Sequence, residues 1–100
     1  MPNVKVSVPF QIQQDEALNR VKARLTEIKS QYGNMVSNLT ENWNGYVGTF
    51  SGSARGFSVS GTVTVDPSVA TVEFGLPLAA VIFRGKIEAA IRDELTILLA

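Results

Sequence analysis

Apolar and polar residues alternate with a period of two in three segments of the chain, residues 4–10, 57–65 and 70–74. Such alternation is typical of a β-strand with one face buried and the other in contact with water. The first strand is expected to end at Pro9, and a turn over residues 66–68 separates the other two. The inward positions are Val4, Val6, Val8, Phe10, Phe57, Val59, Gly61, Val63, Val65, Ala70, Val72 and Phe74.

Two other segments have apolar residues every three or four positions, which predicts amphipathic helices. The first begins near Gln13, carries acidic residues in its first turn and is terminated by Gly33. The second begins near Pro77 and closes the chain. The predicted buried stripes are Leu18, Val21, Leu25, Ile28 and Tyr32 in the first helix, and Ala80, Phe83, Ile87, Ile91, Leu95 and Leu98 in the second. The charged side chains of the first helix, Arg20, Lys22, Arg24, Glu27 and Lys29, are interpreted as a solvated face.

A hairpin is predicted between the first helix and the long strand. Residues 35–43 are β-like, and Asn44-Gly45 supplies two residues that tolerate the positive φ angles of a type I′ turn. A third strand follows, with Tyr46, Gly48 and Phe50 on one face. The glycine- and serine-rich residues 51–56 are expected to form a flexible connection.

The fold class is therefore α+β, with the order β-α-β-β-β-β-α in a single domain over residues 1–100. The sheet is predicted to be twisted and mostly antiparallel, with both helices packed on one face. The other face then carries hydroxyl-bearing side chains, a polar surface that could remain in water or pair with another copy. Those residues are Ser58, Ser60, Thr62, Thr64, Thr71 and Glu73.

The composition argues against several classes of partner and of catalytic or metal site. Nine basic and nine acidic side chains cancel, which disfavours a nucleic-acid partner. The chain has no histidine and no cysteine. It therefore lacks the common proton shuttle, the Ser-His-Asp arrangement and thiolate metal sites. We expect no enzymatic activity, no catalytic residues, no cofactor and no metal.

The sequence also bears on location. The longest uncharged apolar run, residues 74–83, is about half the ~20 residues that a membrane-spanning helix needs. The N-terminal residues alternate and do not form the apolar core of a signal peptide. We expect a cytoplasmic protein without a transmembrane segment.

An apolar contact surface is the one candidate site. Aromatic residues cluster around the predicted hairpin, where a place in the core is the favoured interpretation and a contact surface the alternative. The last residues, 96–100, form an apolar end to the closing helix that cannot point every large side chain inward. This surface could hold together a homo-oligomer or contact an apolar particle. Its candidate residues are Trp43, Tyr46, Ile97, Leu98 and Leu99.

Three motifs carry a family resemblance: Trp43-Asn44-Gly45, residues 60–65 (Ser-Gly-Thr-Val-Thr-Val) and residues 83–91 (Phe-Arg-Gly-Lys-Ile-Glu-Ala-Ala-Ile). In their order and spacing the chain resembles the small polyhydroxyalkanoic acid system proteins, whose genes lie beside those of polyester granules. The resemblance implies a non-enzymatic accessory role in polyhydroxyalkanoate storage, through contact with the granule surface or with granule-associated proteins. It transfers no functional residues.

A second hypothesis is a small ligand-binding module, in which the closing helix clasps a curved sheet around an acyl chain or another apolar ligand, as in helix-grip domains. The interior of a 100-residue domain is normally filled by side chains. We therefore expect that a pocket of several hundred cubic ångströms would require a dimer.

Overall fold

The computed structural model describes residues 3–54 and 56–100. The predicted order of elements and the α+β class are confirmed, and a short 3-10 helix is added before the closing helix. The elements are β1 (Asn3–Pro9), α1 (Gln14–Tyr32), β2 (Ser37–Asn44), β3 (Val47–Ala54), β4 (Phe57–Val65), β5 (Val69–Gly75), the 3-10 helix (Leu78–Phe83) and α2 (Arg84–Leu98).

The five strands form one sheet in the order β1-β5-β4-β3-β2, and every pair of neighbours is antiparallel. The N-terminal strand is thus an edge strand that pairs with the last one. The register places Val6 opposite Val72, and Val72 opposite Val63. Because directly paired residues lie on the same face, the alternating apolar positions of β1, β5 and β4 combine into one apolar sheet face.

Both helices cover this apolar face, as predicted. α2 packs mainly on β1, and α1 lies over β4. The inward residues of β1 are buried, so the edge strand belongs to the core rather than to the surface. The buried core consists of Val4, Val6, Val8, Phe10, Ala17, Val21, Val63, Val65, Ala70, Leu76, Leu95 and Leu99.

The opposite face of the sheet is lined by serine and threonine hydroxyl groups. Ser7 and Thr71 share a hydrogen bond of 3.0 Å across β1 and β5, and Thr40 and Ser51 share one of 2.5 Å across β2 and β3. Cross-strand hydroxyl pairs of this kind are compatible with a face exposed to water.

The hairpin between β2 and β3 differs from the predicted one. Asn44 is the last residue of β2 and pairs with Val47, so the two-residue loop is Gly45-Tyr46. Only Gly45, the first loop residue, has a positive φ, +62°. A positive φ at the first position alone is the pattern of a type II′ turn, so the type I′ prediction is wrong.

The predicted flexible connection is also wrong for residues 51–54. β3 continues through Ala54, which pairs with Phe57, and the hydroxyl groups of Ser53 and Ser58 lie 3.2 Å apart. Cross-strand pairing therefore overrides the local preference of glycine and serine for irregular structure. Arg55, within the predicted connection, lies outside the described residues.

The closing helix is divided into two parts. Pro77 precedes the 3-10 helix, and the α-helix begins only at Arg84. A 3-10 helix has three residues per turn instead of 3.6, so a stripe extrapolated at α-helical spacing does not stay on one face. Phe83, predicted to be buried, is half exposed.

Gly61 occupies a crowded position at the centre of the sheet. A Cβ atom on Gly61 would meet the backbone oxygen of Glu73, and would lie 2.5 Å from Cβ of Phe74 and 2.9 Å from Cζ of Phe50. Two of these contacts are with atoms close to the backbone of the paired strand, which cannot move without breaking the register. The close approach explains why a glycine interrupts the apolar alternation of β4.

Substitution Gly61→Ala is expected to destabilise the fold by about 2 kcal/mol, since overpacking forces the neighbouring strand to shift. Gly85→Ala is the matched control, because an added methyl group there meets no atom within 4 Å. In the first turn of α2 the control is expected to be neutral or stabilising by up to about 1 kcal/mol. Urea denaturation measures both, and equal effects would contradict the packing explanation.

Candidate functional site

A cavity of about 360 Å³ lies between the two helices and the sheet, open to solvent on one side. Its floor is formed by Phe50, Val63 and Val72, which belong to the adjacent strands β3, β4 and β5. We call it the interhelical cavity. The space is open to solvent and lies within one copy of the chain, and the expectation that an enclosed pocket of this size requires a dimer stays a prediction.

The walls of the interhelical cavity are the apolar stripes of the helices. Val21, Leu25, Ile28 and Tyr32 line it from α1, and Ala90, Ile91, Leu95 and Leu98 line it from α2. Apart from Ala90, which adjoins Ile91, the spacings are three and four residues and place the side chains on one face of each helix. The stripes predicted from the sequence thus face the cavity as well as the core.

An ion pair bridges the helices at the rim of the cavity. Nε of Arg24 donates a hydrogen bond of 2.5 Å to Oε1 of Glu94, and both residues line the cavity. This hydrogen bond raises the pKa of Arg24. Nη1 of Arg24 also lies 3.4 Å from Oε2 of Glu27 on the same helix.

A second arginine ties α1 to the end of α2. Nη1 of Arg20 donates hydrogen bonds to the carbonyl oxygens of Leu98 (3.1 Å) and Ala100 (3.0 Å). Within residues 3–54 and 56–100, the polar contacts between α1 and the closing segment all come from Arg20 and Arg24. The helices are therefore fastened at one end of the cavity, while apolar side chains face each other toward Tyr32.

This bridging role differs from the sequence interpretation of a solvated helix face. Arg20 and Arg24 reach across to α2, and Lys29 reaches to β2. Arg24 directly precedes Leu25 and follows Val21 by three residues, so it borders the apolar stripe. That position is a signal for a rim residue, but the sequence does not identify its partner seventy residues away.

A smaller apolar hollow of about 180 Å³ lies beside the cavity, between α1 and the strands β2 and β3. Leu25, Ile28 and Phe50 line both spaces. Phe50 and its neighbours on α1 therefore separate the two, and an ordinary change of their rotamers would change the shape of both.

The hollow contains a partly buried carboxylate. Glu41 lies 2.8 Å from Nζ of Lys29, and its side chain is only 13% exposed. The indole N–H of Trp43 also donates to Glu41. Burial disfavours the charged form, but the hydrogen bonds from Lys29 and Trp43 outweigh it and hold the pKa of Glu41 below its usual value.

The predicted hairpin contact residues have intramolecular partners. A Cβ atom on Gly48 would lie 2.8 Å from the Trp43 ring, and Nζ of Lys22 is 5.2 Å from the ring centroid. The hydroxyl group of Tyr46 donates a hydrogen bond of 2.5 Å to Asp15. Trp43 is half-buried, whereas Tyr46 keeps 37% of its surface exposed.

The three predicted contact residues near the C-terminus lie in different environments. Ile97 is 78% exposed, Leu98 is half-buried against the cavity, and Leu99 is buried in the core at 3%. Leu99 is therefore not available to a partner in this structure. A contact role for Trp43, Tyr46, Ile97 and Leu98 stays a prediction.

The two most exposed large apolar side chains among the described residues do not belong to the predicted contact residues. Leu78 and Ile82 are 82% and 84% exposed, and Phe83 is half exposed. We call these three residues the 3-10 surface. The uncharged run over residues 74–83 was a signal for it, but the prediction of one regular helix placed Phe83 in the core.

Over the described ranges, residues 3–54 and 56–100, no group of three or more potential metal-ligating side chains converges. The helices in these ranges are too short or too polar to cross a membrane.

Comparison with known proteins identifies a family. The family described as "Putative polyhydroxyalkanoic acid system protein" matches residues 4–99. Among solved structures, the crystal structure of TTHA0849 from Thermus thermophilus is similar, with 13% identity and a TM-score of 0.43 over 98% of this chain and 92% of that one. No curated protein sequence matches.

Replacement of Glu41 by glutamine is expected to destabilise the protein by about 1 kcal/mol at pH 7, through loss of the charge-assisted hydrogen bonds. A depressed folded-state pKa contributes stability that is present above the unfolded-state value of about 4.3 and is lost as the pH falls through the folded-state value. The difference between wild type and variant should therefore shrink in acid.

The measurement is urea denaturation of both proteins from pH 7 to pH 3. Glu73→Gln is the control, since Glu73 is an exposed sheet residue, and it should change stability by less than about 0.5 kcal/mol. A Glu41→Gln difference that does not depend on pH would contradict the proposed ionic contribution.

Proposed function

Since this chain belongs to the polyhydroxyalkanoic acid system family, over residues 4–99, we propose that it is a non-enzymatic accessory protein of polyhydroxyalkanoate storage. It acts by contact with the polyester granule surface or with granule-associated proteins, in the cytoplasm where such granules would lie. The non-enzymatic role is supported by a composition without histidine or cysteine, the side chains that most hydrolytic sites use.

The observation that carries the proposal is the exposure of the 3-10 surface. Leu78 and Ile82 are almost fully exposed within a six-residue helix that has no charged side chain. Transfer of a fully exposed leucine or isoleucine side chain from water to an apolar environment is favourable by about 1.5–3 kcal/mol. Contact with an apolar polymer would supply that environment, and so would an apolar groove on a granule-associated protein.

The 3-10 surface is a better candidate than the end of the chain. Its apolar side chains follow each other closely, whereas Ile97 is exposed beside the buried Leu99. Removal of the last residues would also remove Leu95 and Leu99 from the core. A truncation would therefore not separate the loss of a surface contact from the loss of folding stability. Single substitutions of exposed residues avoid this problem.

The double substitution Leu78→Ser/Ile82→Ser is expected to reduce co-sedimentation with isolated polyester granules at least about tenfold, because two exposed apolar contacts are lost. Ile97→Ser is the matched control for an exposed isoleucine elsewhere and should retain granule binding. Phospholipid vesicles test whether the contact is selective. Unchanged co-sedimentation of the double variant, with an unchanged melting temperature, would exclude the 3-10 surface as the contact.

A second candidate function is the binding of an apolar small ligand, and the interhelical cavity favours it. Its volume of about 360 Å³ falls within the about 300–1,000 Å³ of small-molecule sites. Three adjacent strands and two helices contribute apolar side chains to it. The cavity exists in one copy of the chain, so this function does not depend on the homo-oligomer that stays a prediction.

Ala90→Phe is expected to fill part of the cavity and to weaken binding of the neutral dye Nile red at least about fivefold, measured by fluorescence titration. Ala89→Phe is the matched control, because Ala89 is exposed and does not line the cavity. Equal weakening by both variants would place the dye elsewhere, and failure of the wild type to bind would remove this candidate.

A further inference from the structure

The rim of the interhelical cavity combines an apolar interior with a single cationic group. Arg24 is the basic residue among those that line the cavity, and its side chain is 28% exposed. Its partner Glu94 lies on the other helix and is 50% exposed. An ion pair this accessible to water contributes little to stability, so another carboxylate can replace Glu94 without a large cost to the fold.

Arg24 also retains hydrogen-bonding capacity. Nε contacts Glu94 and Nη1 contacts Glu27 at the long distance of 3.4 Å. Within residues 3–54 and 56–100, no hydrogen-bond acceptor is found for Nη2. A guanidinium group has five N–H donors in a planar fork that matches a carboxylate, so Arg24 can accommodate a bidentate partner.

The cavity has the shape of a site for an extended apolar chain. Its lining on α1 runs from Val21 to Tyr32, a rise of eleven residues, which is about 16 Å at about 1.5 Å per residue. Arg24 lies near the end where the arginines fasten the helices, and the floor at Val63 and Val72 is entirely apolar. A ligand with a charged head at Arg24 can therefore extend its chain between the helices toward Tyr32.

We propose that the interhelical cavity binds a straight-chain aliphatic monocarboxylate, whose carboxylate takes the place of Glu94 on Arg24 and whose chain lies over Val63 and Val72. This proposal rests on the second candidate function, that of apolar ligand binding, and adds the chemical class of the ligand. Displacement of Glu94 removes one of the contacts that hold α2 against α1.

The test compares decanoate with decanol, below the micellar concentration of decanoate, by isothermal titration calorimetry on the full chain. Decanoate is expected to bind saturably at one site. Arg24→Gln is expected to weaken the affinity for decanoate about tenfold, which corresponds to the loss of one charge-assisted hydrogen bond. Decanol affinity should not change in this variant. Glu94→Gln should tighten decanoate binding, because the competing carboxylate is removed.

Arg20→Gln is the control for the loss of an arginine that fastens α1 to α2 without lining the cavity, and it should leave decanoate affinity unchanged. Melting temperatures show that each variant is folded. Decanoate affinity that is unaffected by Arg24→Gln, or equal affinity for decanol, would overturn the carboxylate site while leaving an apolar ligand possible. Absence of binding by either compound would overturn both.

Discussion

The antiparallel pairing of β1 with β5 is the constraint on which the rest of the structure depends. It joins strands separated by some sixty residues and makes the N-terminal strand an edge of the sheet. α2 packs mainly on β1, so this pairing provides the platform for the closing helix. Contacts between residues this distant in sequence carry a large loop-closure cost, which the burial of Val4, Val6 and Val8 offsets. The width of the interhelical cavity follows from where β1 and β4 place the two helices.

The sequence is sufficient for the parts of the fold in which one local period dominates. β1 and β4 alternate so regularly that their inward residues are evident, except that Phe57 at the start of β4 is half exposed, and α1 ends before Gly33 as its pattern indicates. Prediction failed where partners distant in sequence decide the outcome. Residues 51–54 have the composition of a loop but pair with β4, and the turn after β2 is shifted by one residue because Asn44 pairs with Val47.

The candidate site was harder to predict for the same physical reason. The sequence correctly places Leu25 and Leu95 on the apolar stripes of their helices. Whether the two stripes meet or leave a space depends on the separation of the helices, which no local pattern encodes. The pairing of Arg24 with Glu94 likewise requires the helices to be placed first. The 3-10 surface was missed because one change of helical period moves apolar side chains from the core to water.

The free edge of β2 has a consequence for self-association. The register between β2 and β3 shifts between Ser37 and Thr40, and Asn38 in the shifted segment has φ +56°, a conformation that asparagine tolerates better than most residues. A bulge of this kind bends the strand and interrupts its row of free backbone groups. Addition of a strand from another copy of the chain is therefore disfavoured at residues 37–40, where the exposed edge is irregular.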